Sequence, residues 1–68
     1  MQVKLYRAED TSVFAPGLEY DNTSYKITAV YLDGNLVPKD RYVMVDDRTV
    51  SFIRAIPVGT KVTADMSE

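Results

Sequence analysis

Alternation of apolar and polar side chains with a period of two residues is the feature that most constrains the fold of this chain. It is clearest near the C-terminal end, where Val62, Ala64 and Met66 alternate with polar residues. A period of two places successive side chains on opposite faces of a strand, so one face of this segment is predicted to be buried. No window repeats apolar residues at helical spacing over three turns. The pattern therefore predicts an all-β fold with little or no helix.

Further strands follow from alternation or from a β-branched and aromatic composition. The segment 25–32 is apolar on both parities, which is typical of a central strand covered on both faces. Segment 48–54 alternates more cleanly, with Phe52 predicted on the core face and hydroxyl side chains facing water. The other predicted strands cover residues 2–7, 41–45 and 60–66, with a short return at 35–37.

Turn-forming residues separate these strands. Asp33-Gly34 favours a two-residue type I′ hairpin turn, because both residues tolerate positive φ. Pro38 lacks an amide hydrogen, which confines it to an edge or an interruption. The carboxylates of Asp46-Asp47 are predicted to accept bonds from backbone amides in a tight turn, and residues 56–59 form the last turn. The predicted fold is a single β domain over residues 1–68, a small antiparallel β-sandwich or partly open barrel of about 5–7 short strands.

The absence of cysteine and histidine limits how a chain of this size can be held together. The sequence has 68 residues, and a domain that small buries only about 60% of the surface that its unfolded chain exposes. Small folds are commonly reinforced by disulfides, metal ions or a partner chain. Without cysteine or histidine, disulfides, thiolate or imidazole metal sites and Cys or Ser-His nucleophilic catalysis are excluded. A partner is the reinforcement that remains.

The charge pattern argues against nucleic-acid and membrane partners. Ten acidic and eight basic residues give a formal net charge of -2, and no run of like charge is longer than a pair. No basic stripe is therefore available for a phosphate backbone. No stretch approaches the roughly 18 consecutive apolar residues of a membrane span. We expect no nucleic-acid partner, no membrane partner and no cofactor.

Residues 8–24 are predicted to form an irregular arm or long loop, with a short strand near Phe14 as an alternative. Segments of this length are usually functional or disordered. This arm is too apolar for a loop that only touches water, and tyrosine is enriched in protein interfaces. We predict that the arm docks on a neighbouring subunit by strand addition. Cross-strand aromatic pairing within the sheets is the alternative for the tyrosines. The predicted interface residues are Phe14, Pro16, Leu18, Tyr20, Tyr25 and Tyr6.

The aspartates offer two further candidate sites. Asp40, Asp46 and Asp47 carry the oxygen ligands of a calcium ion, but they lack the D-x-D-x-D-G spacing, so turn capping is the preferred interpretation. Asp33 with Asp46 would be the carboxylate pair of a glycosidase, which needs a cleft for a sugar. A sheet protein of this size has little room for such a cleft. We predict no catalytic, metal-binding or cofactor-binding residue.

A serial combination of strand and turn residues covers roughly residues 27–66. It contains VYLDGNLVP at 30–38, DRY at 40–42, RTVSF at 48–52 and AIPVGTKV at 55–62. In order and spacing, this combination resembles a small β-module of bacteriophage tail fibres, of the podovirus type. The resemblance implies a virion context, near the N-terminal attachment region of a fibre or in an adaptor. The first 26 residues lie outside the resemblance.

The resemblance and the need for a partner lead to one functional expectation. We expect a non-enzymatic structural protein of a bacteriophage virion, a small tail or fibre adaptor subunit bound to other virion proteins. It would be present as a homo-oligomer or as repeated copies in a symmetric assembly, formed in the host cytoplasm. One alternative is a capsid decoration (cement) protein on the head lattice. Another is a carbohydrate-binding or adhesion module that uses tyrosine rings as a stacking platform.

Overall fold

Two antiparallel sheets of four strands each form this protein in a computed structural model, which describes residues 1–8, 12–20 and 24–68. The all-β prediction is confirmed, and the described residues contain no helix beyond two short 3₁₀ turns at Leu18–Tyr20 and Lys39–Arg41. The described residues form eight strands instead of the predicted five to seven. They are β1 (Gln2–Lys4), β2 (Tyr6–Arg7), β3 (Val13–Ala15), β4 (Lys26–Leu32), β5 (Asn35–Leu36), β6 (Tyr42–Asp46), β7 (Thr49–Phe52) and β8 (Val62–Ser67).

The first sheet has the strand order β1-β8-β4-β5 and the second has the order β2-β3-β7-β6. One hydrophobic core contains buried side chains from both sheets. The sharp alternation predicted for the last strand is confirmed, because Val62, Ala64 and Met66 are all buried in this core. Their strand β8 lies between β1 and β4, so its apolar face is covered by the second sheet.

The predicted strand 2–7 is broken at Leu5, and its two halves belong to different sheets. The amide of Leu5 donates a 2.9 Å hydrogen bond to the carbonyl oxygen of Val62, beyond the last β1–β8 pair. The Leu5 side chain is 3% exposed and belongs to the core. Leu5 is therefore the corner at which the chain crosses from one sheet to the other.

The turns at residues 33–34 and 56–59 are confirmed at their predicted positions. Asp33 and Gly34 both have positive φ, 50° and 84°, as a type I′ hairpin between β4 and β5 requires. In the last turn Gly59 has φ 95°, and the amide of Thr60 bonds to the carbonyl oxygen of Pro57 at 3.2 Å. Pro38 follows the edge strand β5 and precedes the second 3₁₀ turn. Strand β4 is central, as predicted, with β8 and β5 on its two sides.

The segment predicted as an arm supplies an internal strand of the second sheet. Strand β3 pairs with β2 on one side and with β7 on the other. Phe14 is 4% exposed, and its ring meets the ring of Phe52 edge-on at 5.6 Å. The prediction that this segment docks on a neighbour as an added strand is wrong for Val13–Ala15, because both of its edges are paired within the chain. The short strand near Phe14 is confirmed, and residues 9–11 and 21–23 lie outside the described residues.

Candidate protein-interaction site

The six predicted interface residues do not share one environment. Phe14 is in the core, so the prediction that it contacts a partner is wrong: aromatic burial between the sheets gives it its place. Leu18 and Tyr6 are exposed, by 84% and 52% of their surface. Pro16 is half-buried. The structure therefore divides this set between core and surface.

Tyr20 and Tyr25 stack on each other at the edge of the core. Their ring centroids are 6.5 Å apart with an interplanar angle of 30°, and both rings are half-buried against the core cluster. The Tyr20 hydroxyl also lies 3.9 Å from the sulfur of Met1. This is aromatic pairing within the fold, the alternative interpretation of these tyrosines.

The outer face of the second sheet is uncharged except at the end of β6, where Asp46 lies opposite Thr49. Phe14, Val50 and Phe52 point into the core, so the residues between them in β3 and β7 point outward. Cross-strand pairs connect this outer layer: Tyr6 with Ala15 at one edge, and Val13 with Ser51 and Val43 across three strands. We name this surface the uncharged face; it consists of Tyr6, Val13, Ala15, Val43, Thr49 and Ser51.

The outer face of the first sheet is different in character. Lys4, Lys26 and Asp65 are on it, each opposite the buried face of its strand. The Tyr31 hydroxyl donates a 2.9 Å hydrogen bond to Oδ2 of Asp65. Exposed sheet surfaces are normally charged in this way. The contrast identifies the uncharged face, and not the first sheet, as the surface suited to contact with another protein.

The bond between Tyr31 and Asp65 gives a pH-dependent prediction. The Asp65 carboxylate accepts the Tyr31 proton and repels the phenolate, so the pKa of Tyr31 is raised above its ordinary value. We expect Tyr31 to ionise at higher pH than in Asp65→Asn, as measured by phenolate absorbance in an alkaline titration. Because the pKa is raised in the folded state, the stabilisation is present below the unfolded pKa and is lost as pH rises through the folded one. Identical titrations of the two proteins would contradict the prediction.

Strand β6 adds an exposed apolar edge to the uncharged face. It is the last strand of the second sheet and pairs with β7 alone among the described strands. Val43, Met44 and Val45 are 56%, 38% and 61% exposed. A register shift between Met44 and Asp46 leaves Val45 as the extra residue of a bulge. Exposed apolar residues on an edge strand are unusual, since edges commonly carry lysine or proline.

A groove with a volume of about 640 Å³ lies between the segment after β4 and the segment after β7. Leu36 and Ile53 form exposed apolar parts of its lining, at 65% and 64% exposure. Asp40, Arg41 and Arg54 add charges of both signs. The groove therefore has apolar walls with a charged border.

Two of the aspartates singled out in the sequence accept hydrogen bonds from backbone amides in turns. Oδ1 of Asp33 accepts the amide of Lys61 at 2.9 Å, and Oδ1 of Asp46 accepts the amide of Arg48 at 2.8 Å. The turn-capping prediction is thereby confirmed for Asp46. Within residues 1–8, 12–20 and 24–68, no group of three acidic side chains is arranged to hold a metal ion.

In comparisons with known proteins, no family model, no curated protein and no solved structure matches this chain. In the part of the chain that the structure describes, no helix has the length and hydrophobicity of a bilayer crossing.

Sequence reasoning missed Val13, Val43 and Val45 as candidate contact residues. Each of them is next to an apolar residue of the opposite parity, Phe14 or Met44. A strand that is apolar on both parities needs cover on both faces. The short runs 13–15 and 42–45 are apolar on both parities. Burial of one face of the strand would not account for the apolar residues on the other face.

Proposed function

We propose that this protein is a non-enzymatic structural subunit that joins a larger assembly through the uncharged face. The observation that carries the proposal is the difference between the two outer sheet surfaces. The first bears Lys4, Lys26 and Asp65 within the sheet, whereas the six residues of the uncharged face have no charge among them. Charges border this face only at its two ends, where Asp46 lies opposite Thr49 and the Lys4 ammonium lies near the Tyr6 ring. Depletion of charge is the compositional mark of an interface centre.

The size of the chain supports the same proposal. A fold of 68 residues has only a few kcal/mol of stability from its core, about 3–5 by general experience. Binding to a neighbour stabilises the folded state by mass action. A subunit held on several neighbours in a symmetric assembly therefore needs neither disulfide nor metal.

For the assembly itself we propose a bacteriophage virion, with the chain as a tail or fibre adaptor. The serial combination of residues 27–66 supports this setting, because its turns and strands follow the order of the tail-fibre module that it resembles. Attachment to a neighbouring virion protein then uses the uncharged face. A decoration protein on the head lattice would use the same face and differ in its neighbour.

The adhesion alternative lacks a comparable observation. A stacking platform for sugars needs exposed aromatic rings. Of the five tyrosines, Tyr42 is buried and Tyr20, Tyr25 and Tyr31 are half-buried, so Tyr6 alone presents an exposed ring. One ring with no aromatic neighbour on the surface favours a protein contact over a sugar platform.

The proposal is tested with an epitope-tagged chain in the strain whose genome encodes it. We expect the tagged protein to co-sediment with phage particles purified on a density gradient. Val13→Lys should strongly reduce its content in the particles, because a lysine at the centre of the uncharged face would have to be desolvated without a partner.

Gln2→Lys is the matched control. It adds the same charge to the outer face of the first sheet, where Gln2 is exposed, and should leave incorporation unchanged. Circular dichroism of both purified variants shows whether each is folded. A folded Val13→Lys protein that enters particles as well as Gln2→Lys would refute the role of the uncharged face, and a tagged wild type absent from particles would refute the virion setting.

A further inference from the structure

The outer edge of β6 carries backbone hydrogen-bonding groups that point away from the sheet. The amide of Ile53 donates a 3.0 Å bond to the carbonyl oxygen of Arg41, and the amide of Phe52 donates on the other side, to Ser12. Backbone bonds alternate in direction along an antiparallel strand. The backbone N–H and C=O groups of Arg41 and Val43 therefore face β7. The same groups of Tyr42 and Met44 face away from the sheet.

Oppositely charged ends flank this edge. The 3₁₀ turn before β6 contributes Lys39, Asp40 and Arg41, a net charge of +1. The far end of β6 contributes Asp46, Asp47 and Arg48, a net charge of -1. When a strand of this kind pairs antiparallel with a copy of itself, the basic end of each copy lies beside the acidic end of the other. The strand is therefore complementary to itself in charge, in one orientation only.

We infer that two copies of this chain pair through β6 around a two-fold axis. Tyr42 of each copy faces Met44 of the other, which lets the four outward groups on each strand form four hydrogen bonds across the axis. Val43 lies on the axis beside its own counterpart, and Arg41 of each copy approaches the Asp46-Asp47 end of the other. The second sheets of the two copies, with four strands each, then form one continuous sheet of eight strands.

A second copy fits this edge better than it fits the other edges of the sheets. The edge strands β1, β2 and β5 have three, two and two residues, whereas β6 has five. A very short edge is itself a protection against pairing, and β6 lacks that protection. Pairing at β6 also makes the uncharged faces of the two copies continuous. The inference thus deepens the proposed function, because it names one neighbour in the assembly.

The first test removes one outward amide. Met44→Pro deletes an N–H that faces away from β7, so the ladder with β7 is kept while two of the four bonds in the pair are lost. Sedimentation equilibrium of the wild-type chain should show a concentration-dependent dimer, and a weak one, because an edge contact is smaller than the roughly 1,600 Å² of a standard interface. Met44→Pro should weaken the dimer by about tenfold or more.

Met44→Ala is the matched control, since it shortens the same side chain and keeps the amide. It should dimerise within a few-fold of the wild type. If Met44→Pro is itself unfolded by circular dichroism, the charge variants below decide the outcome. A wild-type chain that stays monomeric at its highest soluble concentration overturns the inference.

The second test uses the charges at the two ends of β6. Arg41→Glu and Asp47→Lys should each be monomeric, because each variant places like charges together twice in its own dimer. An equimolar mixture of the two should form a heterodimer, since Glu at 41 then faces Lys at 47 while the native Asp47 faces the native Arg41. This rescue should fade with added salt.

The outcomes separate this inference from the proposed function. Dimers that are equally strong in Met44→Pro and Met44→Ala, or a mixture of charge variants that stays monomeric, would refute pairing through β6. Neither result touches the test with Val13→Lys, whose position is two strands away from β6 in the second sheet. Loss of incorporation in that test with an intact dimer would place the neighbouring protein on the face and the second copy on the edge.

Discussion

Replacing Phe14 with alanine is expected to unfold most of the protein, with a loss of about 3–5 kcal/mol in the free energy of unfolding. The ring is 4% exposed and lies edge-on against Phe52, which in turn meets Tyr42 with centroids 6.1 Å apart. The guanidinium carbon of Arg7 lies 4.9 Å from the centroid of the Phe14 ring. Removal of the ring leaves a cavity beside Phe52 and Arg7, and a domain of this size has little stability to spare.

Urea titration followed by circular dichroism measures this loss. Leu18→Ala is the control in the same stretch of chain, because Leu18 is 84% exposed and should change stability by less than about 0.5 kcal/mol. A Phe14→Ala protein as stable as Leu18→Ala would mean that the segment is a detachable arm after all.

Leu5→Ala should cost about 2–5 kcal/mol. The side chain is 3% exposed at the corner where the chain passes from the first sheet into the second, and its amide is bonded to Val62. Truncation removes apolar atoms from the core at the point where neither sheet can shift alone to fill the space. The expected observation is a lower thermal midpoint and a lower urea midpoint with an unchanged fold at low temperature.

Lys4→Ala is the comparison for Leu5→Ala. Lys4 is exposed, and its Nζ lies 5.2 Å from the centroid of the Tyr6 ring, a contact whose loss should cost less than about 1 kcal/mol. Equal losses in the two variants would contradict the placement of Leu5 at a buried corner.

Local patterns were sufficient to predict the strands and turns that depend on their own residues. The strict alternation of 62–66, the two-sided apolar strand before Leu32 and the turn at Asp33-Gly34 all have a direct physical cause in the sequence. Period-two burial and positive φ at Asp-Gly are properties of a few neighbouring residues. The structure therefore has these strands and this turn at the predicted positions.

Properties that depend on neighbours in space could not be predicted in the same way. The break at Leu5 arises because the residues before and after it pair in different sheets, and the alternation of residues 2–7 is the same with or without the break. The sequence around Phe14 predicts a partner contact because a short apolar run between polar residues fits an arm and an internal strand equally well. Only the pairing with β2 and β7 decides between them.

The candidate site could not be predicted from the sequence for a related reason. Alternation shows which side chains share a face, but it does not show which strand lies at the edge of a sheet. Val43 and Val45 therefore look like ordinary strand residues until β6 is seen at the end of the order β2-β3-β7-β6. The sequence therefore predicts mainly aromatic contact residues, whereas the surface that the structure exposes includes three valines instead.

The position of β8 has a consequence for how the chain acquires its structure during synthesis. β8 leaves the ribosome after the other seven described strands, yet it lies between β1 and β4. Met1 and Met66 exchange backbone hydrogen bonds of 3.1 and 2.7 Å. The hairpin of β6 and β7 can form early, while β1 waits for a partner about 60 residues away. Such distant pairing is slow to form. Until β8 pairs with β4, the edge of β4 that β8 covers is open, and an open edge can pair with another chain. The risk of such mispairing during synthesis therefore grows with the time between translation of β4 and the arrival of β8.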